Sequence, residues 1–284
     1  MSLDSGREPV PFEVRTAGSH VHGETAGDGR DIFLCHGLSA TRRYVVHGSK
    51  VLPRCGYRLH TYDARGHGES EPATEYSYEL LADDLEAVIA ERGVEAPLVL
   101  GGHSMGCHTA LTFALRHPGK VAALILVGPV YTGSGDDLDL ERWDERADAL
   151  DHAGPAGFAR VIGSRVDGPE EVRKTIMRLA QGRAELHRYP EAVAEALRQI
   201  PRSRPFGSVD DLARLDVPAL VVGSHDEIDD GHPYAVAERY AGVLPQAKMI
   251  SEDKGESPLS WQGGRLSREI DSFLEGHGLG PVAG

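Results

Sequence analysis

Between Pro97 and Pro118 the chain reads Pro-Leu-Val-Leu-Gly-Gly-His-Ser-Met-Gly-Cys-His-Thr-Ala-Leu-Thr-Phe-Ala-Leu-Arg-His-Pro. This stretch limits the possible folds more than any other. Leu98 to Leu100 form a short apolar run that fits a buried strand. After Gly101 and Gly102 the pattern changes to a helical one, with Ala110, Leu111, Ala114 and Leu115 on one side and Pro118 as the stop. At the junction stands Gly102-His103-Ser104-Met105-Gly106, a G-x-S-x-G spacing. A serine at the apex of a sharp strand-to-helix turn is lifted clear of the sheet. Glycine two residues to either side lets backbone and helix approach without a Cβ clash. The helix N-terminus then faces the reacting oxygen, where backbone N–H groups and the helix dipole favour negative charge. The pattern predicts a nucleophile elbow at Ser104.

The remaining hydrophobic patterns form a series around this junction. Residues 12–16 and 19–24 alternate and suggest an antiparallel edge hairpin. Buried strands are expected at 31–35, 57–62 and 121–127, and a helix over 41–54 with Val45, Val46 and Val51. Ser77 is placed to N-cap a helix carrying Leu81, Leu85, Val88 and Ile89, closed by Gly93. Strands alternating with helices in this way predict a mostly parallel, doubly wound α/β sheet. From about Val130 to Leu215 the strand pattern is replaced by helical periodicity, with Pro190 opening the last of these helices. The sheet resumes at 217–222, is followed by a helix from Pro233, adds a last strand at 246–251 and ends in an amphipathic helix with Leu266, Ile270, Phe273 and Leu274.

With these motifs the chain resembles the α/β-hydrolase superfamily over nearly its whole length. The stretches that carry the resemblance are Leu34-Cys-His-Gly-Leu-Ser-Ala40, Tyr62-Asp-Ala-Arg-Gly-His-Gly-Glu-Ser70, the elbow itself, and Val221-Val-Gly-Ser-His-Asp226. The resemblance implies an α/β-hydrolase fold with core segments at 1–130 and 216–284 and a helical cap at 131–215. It implies Ser104 as nucleophile and the N–H groups of Leu38 and Met105 as oxyanion hole. His36 and Gly37 are expected on the substrate side, His36 in a structural, hydrogen-bonded role. Asp226, three residues past Gly223, takes the position of the triad acid. Glu227, Asp229 and Asp230 read as loop charges, and Asp63 as an organiser of its own loop.

One family position departs from the pattern. Where members of the family carry the histidine that takes the serine proton, this chain reads Gly255-Glu256-Ser257-Pro258-Leu259. A serine hydroxyl without a nearby base is a weak nucleophile. Three readings stay open. Glu256 is itself the base, its pKa raised by Asp226 beside it. A histidine from elsewhere serves, such as His232, which is less favoured because it heads a helix. Or the site has left acyl transfer and binds a ligand, or works as a cofactor-free lyase. The first gives a hydrolase of small esters or related acyl substrates, with Ser104, Asp226 and Glu256 as catalytic groups and no metal or cofactor.

Bulk composition excludes some partners. At 284 residues the chain can hold one large α/β domain with an insertion. A formal charge of −14 disfavours nucleic acid and anionic membranes, leaving a small-molecule substrate as the expected partner. Three cysteines, Cys35, Cys55 and Cys107, lack metal-ligand spacing and fit free thiols in a reducing, cytoplasmic setting. The first residues lack the basic start and apolar run of a signal peptide, and no apolar run is long enough to span a bilayer.

Overall fold

The computed structural model describes residues 8–133, 139–226, 228–229 and 231–281. Its strands are β1 (Val10–Thr16), β2 (Ser19–Ala26), β3 (Arg30–Cys35), β4 (Tyr57–Tyr62), β5 (Leu98–His103), β6 (Val121–Val127), β7 (Pro218–Val222) and β8 (Gln246–Ile250). They form one sheet in the order β1-β2-β4-β3-β5-β6-β7-β8. The β1–β2 and β2–β4 pairings are antiparallel and all the others parallel. The central strands are buried along nearly their whole length because helices cover both faces, whereas β1 alternates between buried and exposed positions.

The helices divide between the two faces. On one face α2 (Tyr78–Glu91), α3 (Met105–Arg116) and α7 (Tyr234–Val243) bury Leu85, Val88, Leu111, Phe113 and Tyr240. On the other, α1 (Val51–Arg54) and α8 (Gly263–Gly276) bury Leu52, Leu266, Ile270 and Phe273. Ser77 caps α2 as expected, accepting from the Leu80 N–H at 3.3 Å. The helix expected over 41–54 is instead a single 3-10 turn, Arg42–Tyr44, and the four-residue α1. His47 and Gly48 lie at φ 49° and 68°, which breaks the helical path between the two.

Between β6 and β7 the described residues contain no strand. Three α-helices, α4 (Leu140–Ser164), α5 (Glu170–Ala184) and α6 (Pro190–Gln199), and two 3-10 helices, Ile200–Arg202 and Val209–Arg214, occupy the described part of this segment. α4 kinks at Gly154, which sits at φ 61° and precedes Pro155. Ala147, Leu150, Phe158, Val193 and Leu197 form a separate small core for this insertion, with Leu38 of the sheet domain packed against it.

Buried histidines tie the insertion to the core. His187 accepts from the Gly68 N–H through Nδ1 at 2.8 Å and donates to the Ser39 carbonyl through Nε2 at 3.2 Å. The rings of His36 and His67 continue the cluster. Burial depresses all three, His187 to about 4, and also takes His108 on α3 down to about 3. The unfolded chain therefore binds protons that the folded chain refuses, so stability is full above about pH 6.5 and falls as pH drops below it. His108 and His187 should each cost about 2 kcal/mol at pH 5 relative to pH 7, at about 1.4 kcal/mol per pH unit below 6.5. Urea unfolding at the two pH values checks this; equal midpoints would rule it out.

The loop after β4 is organised by charge. Asp63 accepts from the N–H groups of Arg42 at 2.8 Å and Glu69 at 3.1 Å, and pairs with the Arg42 guanidinium. Arg65, 1% exposed, forms a two-bond pair with fully buried Asp84, both bonds at 2.7 Å. Removing one partner leaves a buried charge uncompensated, at a cost of about 3–5 kcal/mol. Asp84→Ala should therefore lower the thermal midpoint by roughly 10 °C, as read by circular dichroism. A shift under about 2 °C would show the pair to be dispensable.

Candidate active site

Ser104 follows β5 and caps α3 with φ 51° and ψ −113°. A side-chain-bearing residue at positive φ is uncommon, and this backbone strain persists only where packing on both sides enforces it. The glycines of the motif show what enforces it. A Cβ on Gly106 would stand 2.0 Å from the Cys35 carbonyl oxygen, and one on Gly102 2.3 Å from the same atom. The turn is pinned by the Ser104 N–H donating to Val127 O at 2.9 Å and the Cys107 N–H donating to Ser104 O at 2.9 Å.

Ser104 lines a cavity of about 70 Å³ together with Leu38, Met105, Tyr78, Tyr131, Trp143 and Ile200. Trp143 belongs to α4, and Ile200 directly follows α6, so the helical insertion supplies part of the wall. Among the described residues neither the Leu38 nor the Met105 N–H has a hydrogen-bond partner. Met105 is the first residue of α3, where an N–H has no partner within the helix. His36 is 1% exposed; its Nδ1 donates to Gly37 O at 2.8 Å and its Nε2 accepts from the Ala64 N–H at 2.8 Å. Both nitrogens are used by backbone, so His36 is structural. Gly37 lies against His103 and Ser104, where a Cβ would be 2.9 Å from His103 Nδ1 and 3.4 Å from Ser104 Cβ.

Neither of the two expected carboxylates lines the Ser104 cavity. Glu256 is 47% exposed, its carboxylate bonded to Arg265 at 2.8 Å, and it does not line the Ser104 cavity. Arg265 holds it below the usual carboxylate range, opposite to the upward shift that a shared site with Asp226 would give. Asp226 accepts from the N–H of Ile228 at 3.0 Å, closing its own loop. The acid that joins these two loops is Glu252, which accepts from Ser224 Oγ at 2.8 Å, the His225 N–H at 2.6 Å and the Leu259 N–H at 2.9 Å. With both oxygens engaged, Glu252 fixes the loops without being free to act as a base.

A different acid–imidazole pair lies close to the elbow. His232 Nδ1 meets Asp229 Oδ2 at 2.7 Å, and both groups are partly buried. The His232 ring lies 4.9 Å from that of His103, the residue before Ser104. Gly128, just past β6, marks the junction: a Cβ there would be 3.1 Å from His232 Cδ2 and 3.6 Å from His103 Nε2. His103 Nδ1 thus lies near Gly37 and its Nε2 near Gly128. Burial pushes His103 down to about 3, with His232 adding to the effect, so it is neutral near pH 7. Burial alone would raise Asp229, yet its pairing with His232 outweighs this and holds the carboxyl well below its usual range.

In the sequence Asp229 reads as a loop charge, and His232 is the less favoured base. His232 precedes Pro233, and α7 starts only at Tyr234, so its side chain is free of the helix. The i, i+3 spacing of Asp229 and His232 in a turn was the available signal. Glu227 and Asp230 lie outside the described residues.

The comparisons with known proteins agree with this architecture. Residues 32–175 match the family model described as alpha/beta hydrolase fold. A thermophilic esterase from Thermogutta terrifontis superposes with a TM-score of 0.78 at 24% identity, covering 95% of this chain and 99% of that one. A putative carbamate hydrolase, RutD of Rhizobium rhizogenes, is 26% identical over 83% of this chain and 88% of its own length. The sn-1-specific diacylglycerol lipase ABHD11 of Mus musculus is 37% identical over 110 residues, and the match spans only 36% of that protein. The chain belongs to the α/β-hydrolase family.

Proposed function

We propose that this protein hydrolyses short-chain carboxylic esters through Ser104, with His232 and Asp229 as the base and its orienting acid. The observation that carries this reading is the 2.7 Å His232–Asp229 pair packed one imidazole away from the elbow serine. Asp229 takes the Nδ1–H of His232, which leaves Nε2 as the proton acceptor. In the proposed step Ser104 Oγ bonds to the ester carbonyl carbon. Its proton passes to His103 Nδ1 while His103 Nε2 gives its own to His232, so His103 stays neutral and changes only its tautomer. The ionised Asp229 then stabilises the imidazolium of His232.

The carbonyl oxygen, now negative, is taken by the N–H groups of Leu38, after β3, and of Met105, at the N-terminus of α3. Collapse of the adduct expels the alcohol, which takes back the proton along the same path. Water repeats the sequence on the acyl-enzyme and frees the acid. The helical insertion acts as a cap that excludes water, and a cavity of about 70 Å³ suits a short acyl chain. The esterase and hydrolase relatives support the same reaction class. The buried free thiols Cys35 and Cys107 fit a reducing compartment such as the cytoplasm.

A short p-nitrophenyl ester and a serine-directed phosphonate test the reading. Turnover and labelling that both vanish in Ser104→Ala are expected; their absence in the unaltered protein would favour a ligand-binding role.

A further inference from the structure

We propose that Glu13, His20 and His22 form a surface site for a borderline divalent transition metal such as Zn²⁺, separate from the Ser104 cavity. The three donor atoms lie within 4.8 Å of one another. His20 and His22 are two residues apart on β2 and therefore point to the same face. Glu13 on β1 is the direct cross-strand partner of His22. Its Oε1 lies 3.6 Å from His22 Nδ1 and its Oε2 3.7 Å from His20 Nε2. These separations are too long for hydrogen bonds, so the lone pairs converge without satisfying one another. Donors around a tetrahedral Zn²⁺ stand about 3.3 Å apart at bond lengths of about 2.0–2.1 Å. Each imidazole is near that spacing from a different oxygen of Glu13, so rotation of the carboxylate and the imidazoles is needed to bring one oxygen and two nitrogens onto a single ion.

The backbone that carries the ligands is held on both sides. β1 pairs with β2 along its whole length. On the other edge, His20 O accepts from the Glu71 N–H at 3.0 Å, His22 O accepts from the Asp63 N–H at 2.8 Å, and the His22 N–H donates to Ser70 Oγ at 2.9 Å. Arg15, the cross-strand partner of His20, adds a positive charge to the same strand pair. A hard cation attracted by charge alone gains little there. An ion that bonds covalently to imidazole nitrogen does not need the net charge. Two imidazoles and one carboxylate leave a fourth position for water, and the bound ion would clip β1 to β2.

The test is calorimetric titration of chelator-stripped protein with Zn²⁺. One equivalent should bind in the micromolar range and weaken at least tenfold in His20→Ala and in His22→Ala. Glu13→Gln, which keeps the shape of the side chain, should weaken it less. Ester turnover in metal-free buffer should be the same in all four proteins. Absence of a one-to-one event up to millimolar Zn²⁺, or binding that survives the His20→Ala/His22→Ala double variant, would overturn the proposal.

Discussion

Replacing Ser104 with alanine is expected to lower turnover of a short nitrophenyl ester by about 10⁴–10⁶-fold, with the fold intact. The size of the effect follows from the position of Ser104. Its hydroxyl is the group presented at the strained turn between β5 and α3, beside two N–H groups that have no other partner among the described residues. Without the hydroxyl no acyl-enzyme forms, and what remains is binding and polarisation of the carbonyl by the two amides, which elsewhere sustain about 10³–10⁴ over water. Alanine lacks only the Oγ, so thermal unfolding should stay within about 1 kcal/mol of the parent. A residual rate within tenfold of the parent would mean that another group attacks the ester.

The second large effect is expected at His232. His232→Gln preserves bulk but cannot take up a proton, and should cost turnover nearly as much as loss of the serine, about 10⁴–10⁶-fold. Asp229→Asn should cost on the order of 10⁴, because an amide neither stabilises the imidazolium nor fixes the tautomer. Glu256→Gln should have little effect on rate, because it removes only a solvent-screened pair with Arg265. Steady-state kinetics on the three variants separate the two candidate bases. A large loss in Glu256→Gln beside a mild one in His232→Gln would return the role to glutamate.

The fold was legible because its signals are local and agree with one another. The apolar runs of β3, β5 and β6, the Ser77 cap and Pro190 at the start of α6 each match the element found. The serine was legible for the same reason, since Gly102 and Gly106 have an unavoidable steric partner in the Cys35 carbonyl. The helix over 41–54 failed because Val45 and Val46 serve the core from a turn, with His47 and Gly48 at positive φ. The base was less legible, for a different reason. Sequence position matched Glu256 to a family slot, but where its side chain goes depends on Arg265, nine residues later on α8. His232 meets His103 only after β5 and the loop following β7 have been brought together in three dimensions, a long-range juxtaposition that no local pattern records.

The most direct measurement of the central claim is the rate at which a fluorophosphonate labels Ser104, read by peptide mass, in the parent protein, His232→Gln and Glu256→Gln. Attack on phosphorus needs the activated hydroxyl and no particular ester. If Ser104 is activated by the pair on the loop after β7, the parent and Glu256→Gln label at similar rates and His232→Gln labels slowly or not at all. Rapid labelling of His232→Gln together with silence of Glu256→Gln, or a modified residue other than Ser104, would contradict it.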